Sequence, residues 1–284
     1  MFPNFVLHQR GNAAIWVDRR LGEPSFIARL ADADGLFREP SCQIIKDETK
    51  ITVGRLTLSI AGKRGHFYIK RYNAYSMRYQ LVSHFVPSGA FRALQGAAIL
   101  RAVAIPTAIP IAAVENRRRG AVSKSFFISQ EIAEGKTADA YWREELKELK
   151  GRRGVTLRRR FLAELAALFD ALHRQNIYHN DLKDANILVV GGENENPINL
   201  FVLDLEGVRG YWRLADARKL KNLVQIHRTL GRYLRPPEKL FFLKRYLGTA
   251  FTDPKLKRQW IVRILQESKR RDDSKTRYAN VRGP

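Results

Sequence analysis

A chain of 284 residues, 45% hydrophobic and 28% charged, can build one large domain or two lobes with separate cores, which excludes disordered and fibrous classes. Lys and Arg outnumber Asp and Glu 51 to 28, a net charge of +23 that favours anionic partners such as nucleic acid, lipid headgroups or phosphate-bearing substrates. Cys42 is the single cysteine, so no intramolecular disulfide can form, and a reducing compartment is expected. The stretch "MFPNFVLHQR" lacks the layout of a signal peptide. The most apolar run, Ala102 to Val114, has 13 residues and two prolines, short of the ~20 needed to span a bilayer. A cytosolic protein is expected, with a surface able to rest on a membrane.

The first ~115 residues read as β-rich. "QIIKDETKITVGRLTLSI" gives two apolar runs around a polar turn at Lys46 to Lys50, and "GHFYIKRY" is a further strand after the turn "AGKRG". A helix is expected from Ser88 to Val103, with Ser88 as N-cap. "IPTAIPIAAV" enters a strand, and "KSFFISQEI" is another, ending near Glu134 and Gly135. The pattern then turns helical. "TLRRRFLAELAALFDALHRQN" carries apolar residues at 161, 162, 165, 168, 169 and 172, with Thr156 as the expected N-cap. Next come the polar loop "YHNDLKDA", a strand "NILVV", a Gly/Asn-rich turn "GGENENP" and a strand "NLFVLDLEG". Residues 214–284 read as helices with a basic tail that frays after Ser268. The expected fold class is α+β and bilobal: a β-rich N-lobe over 1–135, with an extra N-terminal segment, and a mainly helical C-lobe over 136–284.

Three motifs carry chemistry. Asp181, Lys183 and Asn186 have the D-x-K-x-x-N spacing of a phosphotransferase catalytic loop. An Asp there can accept the proton of an attacking hydroxyl, a Lys can neutralise charge on the moving phosphoryl, and an Asn offers Mg²⁺ a neutral oxygen. His179 reads as a packed support rather than a base. Asp204 lies 23 residues after Asp181, at the end of an apolar run and three residues before Gly207, where a second metal ligand belongs. Lys70, in the strand "FYIKRY", lies 111 residues before Asp181 and can reach nucleotide phosphates. Each also has a plain reading: a polar helix-to-strand connection, a turn Asp, a solvated strand lysine. Order and spacing favour the joint one.

Together these stretches resemble the protein-kinase-like fold, and more closely the bacterial lipopolysaccharide core (heptose/Kdo) kinase family. The likeness rests on "FYIKRYN", "AIPTAIPIAA", "SFFISQEIAEG", "YHNDLKDANILV", "FVLDLEGVR" and "RLADARKLKNLVQIHRTL", and covers roughly residues 43–235. It implies an ATP- and Mg²⁺-dependent kinase on the cytoplasmic face of the inner membrane, acting on the core glycolipid. By that resemblance Asp181 is the catalytic base, Asn186 and Asp204 hold metal, Lys70 clamps phosphate, and Glu131 and Ile132 present backbone groups to adenine.

The sequence departs from protein kinases at three points. Asn180 stands where they carry Arg, and only about ten residues separate "DLEG" from the next helix; both favour a small or glycolipid acceptor over a protein. The third departure concerns Lys70. A helix glutamate ordinarily holds the strand lysine, yet residues 49–114 contain nine Lys and Arg and no Asp or Glu, and Ala93 occupies the acid's place. Asp47 or Glu48 could supply the partner, or the nucleotide phosphates could, or catalysis is weak. A pseudokinase-like module binding glycolipid or acting as a scaffold therefore stays open, as does an atypical protein or RNA-associated kinase. The hairpin "KDETK", with two acids and no glycine, is no phosphate cradle. The Arg clusters 117–119, 152–153 and 158–160 and the basic C-terminal region suit an anionic membrane, at about 1 kcal/mol per basic residue near the surface. No nucleic-acid-binding motif accompanies the charge, which argues against that partner. Oligomeric state leaves no mark in the sequence.

Overall fold

A computed structural model describes residues 2–60, 62–73, 86–192 and 197–281, with 275–281 as backbone alone. The expected turns "AGKRG" and "GGENENP" lie partly outside these residues. Two compact units form: residues 1–133 with 204–208, and residues 134–203 with 209–284.

The first unit is built on a seven-stranded antiparallel sheet. Its strands are β1 (Phe5–Arg10), β2 (Ala13–Asp18), β3 (Gln43–Asp47), β4 (Ile51–Ile60), β5 (Lys63–Asn73), β6 (Pro110–Arg118) and β7 (Ala121–Gln130), in the order β1-β2-β6-β7-β5-β4-β3. Helix α1 (Pro24–Ala31) seats Phe26, Ile27 and Leu30 on Ile15, Val17, Leu56, Leu58 and Ile69. Each such side chain contributes about 1.5–3 kcal/mol by leaving water. The β1–β2 hairpin, unassigned from the sequence, covers the free edge of β6, pairing Ile15 with Val114. On β5 the two-residue period sends Phe67, Ile69 and Arg71 to one face, where Arg71 meets Asp34 at 3.0 Å, and Lys70 and Tyr72 to the other. Helix α2 (Gly89–Ala102) begins at Ser88, whose hydroxyl accepts the N–H of Phe91 at 3.1 Å, as expected.

The second unit is mainly helical. A short sheet has the order β11-β10-β8, formed by β8 (Lys136–Thr137), β10 (Ile187–Val190) and β11 (Asn199–Val202). The helices are α3 (Ala138–Tyr141), α4 (Gly151–Arg174), α5 (Asp216–Arg228), α6 (Pro236–Leu247) and α7 (Pro254–Val281), and strand β9 (Ile177–His179) follows α4. Helix α4 starts five residues before the expected cap: Lys150 is the N-cap, and Thr156 lies inside the helix, donating to the Arg152 carbonyl at 3.0 Å. The turn before α4 is tied by Arg158, whose guanidinium donates to the carbonyls of Leu146 and Leu149 at 3.0 and 2.8 Å. The tail does not fray at Ser268: that hydroxyl is buried 3.0 Å from His227, and Arg228 pairs with Asp272 at 2.6 Å.

Candidate active site

In the second unit, the loop after β9 is fixed from below by His179. Its ring is fully buried; Nδ1 accepts the N–H of Asp181 at 3.1 Å, and Nε2 is 2.9 Å from the Leu203 carbonyl. Acceptance at Nδ1 places the proton on Nε2, so the imidazole is neutral and supports the loop, as the sequence suggested. Asn222, wholly buried on α5, donates to the His179 carbonyl at 2.6 Å, and Gln225 donates to that of Asn180 at 2.6 Å. Asn222 in turn faces His173 at 3.3 Å, and His173 faces the Tyr246 hydroxyl at 2.8 Å. Burial pushes the His173 imidazole down to about 4, so this network is uncharged at neutral pH.

On that base, three expected site residues converge. Lys183 Nζ lies 2.7 Å from Asp181 Oδ2. The Asn186 amide donates to the Asp181 carbonyl at 2.8 Å and to its Oδ2 at 3.2 Å. Those bonds use the amide's nitrogen, leaving its oxygen as a neutral ligand. Asp181 is half exposed and keeps carboxylate lone pairs for an incoming hydroxyl.

In the first unit, Lys70 Nζ is 2.5 Å from Asp204 Oδ1 and 3.8 Å from Glu206 Oε1, and it sits 5.0 Å from the centre of the Tyr72 ring. The expected local partners, Asp47 and Glu48, are engaged elsewhere: Asp47 accepts from Thr52 at 2.8 Å, and Glu48 pairs with Lys46 at 3.0 Å. The acid missing from α2 thus comes from the "DLEG" turn. This turn is not a strand continuation. Strand β11 ends at Val202, and Asp204 adopts φ 56°, ψ 53°, left-handed backbone that Asp tolerates better than most residues. A tight 3₁₀ turn, Leu205–Gly207, follows and brings Glu206 back toward Lys70. Helix α2 makes room for it: a Cβ on Gly96 would stand 2.1 Å from the Leu205 carbonyl oxygen. Burial, with the Asp204 charge adding and Lys70 opposing, raises the Glu206 carboxyl above its ordinary range.

Glu131 spends its N–H on the His66 carbonyl at 2.9 Å and its carboxylate on Arg55 at 2.8 and 2.9 Å. Only its carbonyl and the half-buried Ile132 backbone are left to meet an adenine. Among the described residues, no three His, Cys, Asp or Glu side chains cluster as a metal site, and no helix is long and apolar enough to cross a membrane.

An antiparallel sheet unit and a helical unit, carrying a strand lysine and a His-x-Asp-Leu-Lys-x-x-Asn loop, have the make-up of the protein-kinase-like fold. The model of the Lipopolysaccharide kinase (Kdo/WaaP) family matches residues 49–246, and the chain belongs to that family, whose members phosphorylate core sugars of lipopolysaccharide. A solved structure described as "WaaP in complex with acyl carrier protein" shares the fold at TM-score 0.61 and 17% identity, over 88% of this chain and 97% of the other. No curated protein matches the chain.

Proposed function

We propose that this protein transfers the γ-phosphoryl group of ATP to a hydroxyl of an inner-core sugar, heptose or Kdo, with Mg²⁺ as the metal. The observation that carries this reading is the Asp181–Lys183–Asn186 cluster, built on a buried neutral scaffold and followed in sequence by an Asp204 that already holds Lys70. Asp181 takes the proton of the sugar hydroxyl and orients its oxygen for in-line attack. The Lys183 ammonium balances charge on the moving phosphoryl. Lys70 would bind the donor phosphates with Glu206 as its carboxylate partner, and Asp204 would hold the metal.

The donor set fits Mg²⁺: one amide oxygen from Asn186 and one carboxylate from Asp204 are hard oxygen ligands, and this ion keeps several waters rather than needing a full protein cage. When bound it neutralises charge on the β- and γ-phosphates. Glu206 also answers the point that favoured a catalytically weak binding module, the absence of an acid over residues 49–114. The cationic excess suits a peripheral position on an anionic membrane, where the acceptor glycolipid resides.

Purified protein, radiolabelled ATP and lipid-free core oligosaccharide provide the test. Label should move to the sugar with Mg²⁺ and stop when EDTA removes it. Transfer that persists in EDTA, or none with metal present, would contradict the proposal.

A further inference from the structure

Trp212 is 99% exposed, the most exposed large apolar side chain among the described residues. It is not on a loose tip. The Tyr211 N–H donates to the Asn176 carbonyl at 3.0 Å, and the Leu214 N–H donates to the Asn176 side chain at 2.9 Å. These anchors on either side hold the indole outward, while Leu214 is buried beneath. The residue before it, Tyr211, has the Arg218 guanidinium 4.4 Å from its ring centre, and the same guanidinium lies 5.5 Å from the ring centre of Tyr178. Lys221 Nζ lies 5.4 Å from the Tyr178 ring and 3.1 Å from Asn180 Oδ1.

Arg213, Arg218 and Lys221 make no ion pair among the described residues, although the first turn of α5 contains an acid, Asp216, which pairs with Lys219 instead. Stacking a guanidinium on tyrosine faces fixes its plane and leaves its N–H edge for a planar anion. The chain residue after Asn180 is Asp181, so Lys221 adjoins the proposed base through one hydrogen bond and one peptide link, and Arg218 shares the Tyr178 ring with Lys221.

We propose that Trp212, Arg218 and Lys221 form the acceptor platform, on which Trp212 stacks against a sugar ring and the two cations hold the carboxylate of an acidic sugar beside Asp181. The inference rests on the phosphotransfer reading and names the acceptor's chemistry. An exposed indole between Tyr211 and Arg213 matches a charged sugar; a membrane anchor would need a continuous apolar face, which Arg213 interrupts.

The indole supplies the readout. Of the four tryptophans, Trp142 and Trp260 are buried and Trp16 is half-buried, so acrylamide quenching is dominated by Trp212. A Kdo-bearing core oligosaccharide should protect this emission, and the same oligosaccharide with its carboxylates reduced to alcohols should protect at least about tenfold less well. Trp212→Ala should raise KM for the acceptor about tenfold without moving KM for ATP, and Arg218→Lys should recover part of the affinity lost in Arg218→Ala. Equal protection by both sugars would overturn the assignment. So would protection by phosphatidylglycerol vesicles alone, which would give Trp212 to the membrane. Mg²⁺-dependent ATP binding by the wild type, followed by thermal shift, separates the two readings: its absence would sink the kinase reading, and its presence without sugar protection would sink the platform.

Discussion

Lys70 meets carboxylates at 2.5 and 3.8 Å, both from the turn after β11 and neither from the helix packed on its sheet. On the proposed assignment of Asp204 to the metal, Glu206 is the carboxylate left to position Lys70. Its raised carboxyl gives two opposite pH signatures. Only the ionised form attracts Lys70, so wild-type kcat/KM should fall as pH drops through the raised value; Glu206→Gln should lose this acid limb and run roughly ten- to a hundredfold slower at neutral pH. Stability runs the other way. Between its ordinary range and its raised value, the folded protein holds more protons on this group than the unfolded chain, so stability declines as pH rises across that window. Glu206→Gln should therefore melt higher than wild type at neutral pH, and the difference should vanish below the ordinary carboxylate range. A lower melting temperature at neutral pH, or an unchanged acid limb, would count against this role.

At the scale of elements, Gly96 decides whether the turn and α2 can meet. Intrinsic propensity favours Ala over Gly inside a helix by about 1 kcal/mol. Contact opposes it: the added Cβ would lie 2.1 Å from the Leu205 carbonyl oxygen, and overpacking of this kind costs about 1–3 kcal/mol. Gly96→Ala should lower the melting temperature and the rate together, since it displaces the turn that carries Asp204 and Glu206; an equal or higher melting temperature would show that the approach is looser. These elements also show what local sequence carries. Strands such as Ile51–Ile60 and the α2 cap at Ser88 announce themselves, because alternation and capping are nearest-neighbour chemistry. The spacing of Asp181, Lys183 and Asn186 was legible for the same reason. The β1–β2 hairpin was not, since its strand character depends on pairing with β6. Glu206 was in plain view two residues after Asp204, yet its meeting with Lys70 joins residues 136 positions apart, and no local pattern encodes that. The α4 start was misplaced because its N-cap, Lys150, makes no side-chain cap bond, so a search for Ser or Thr settles on Thr156; the turn before it is held instead by the Arg158 guanidinium donating to carbonyls.

For the molecule as a whole, the charge of +23 favours an anionic partner, and the family's members phosphorylate core sugars of lipopolysaccharide, so the two agree with the proposed acceptor. Charge explains attraction, and the phosphotransfer site explains reaction; the two separate experimentally, because screening by salt weakens the first far more than the second. The most direct test of the central claim is Asp181→Asn, a near-isosteric change that keeps a hydrogen-bonding side chain beside Lys183 and Asn186 but removes the base. Phosphate transfer from Mg²⁺-ATP to core oligosaccharide should fall by roughly 10²- to 10⁴-fold while nucleotide binding persists. Transfer near the wild-type rate by this variant would contradict it.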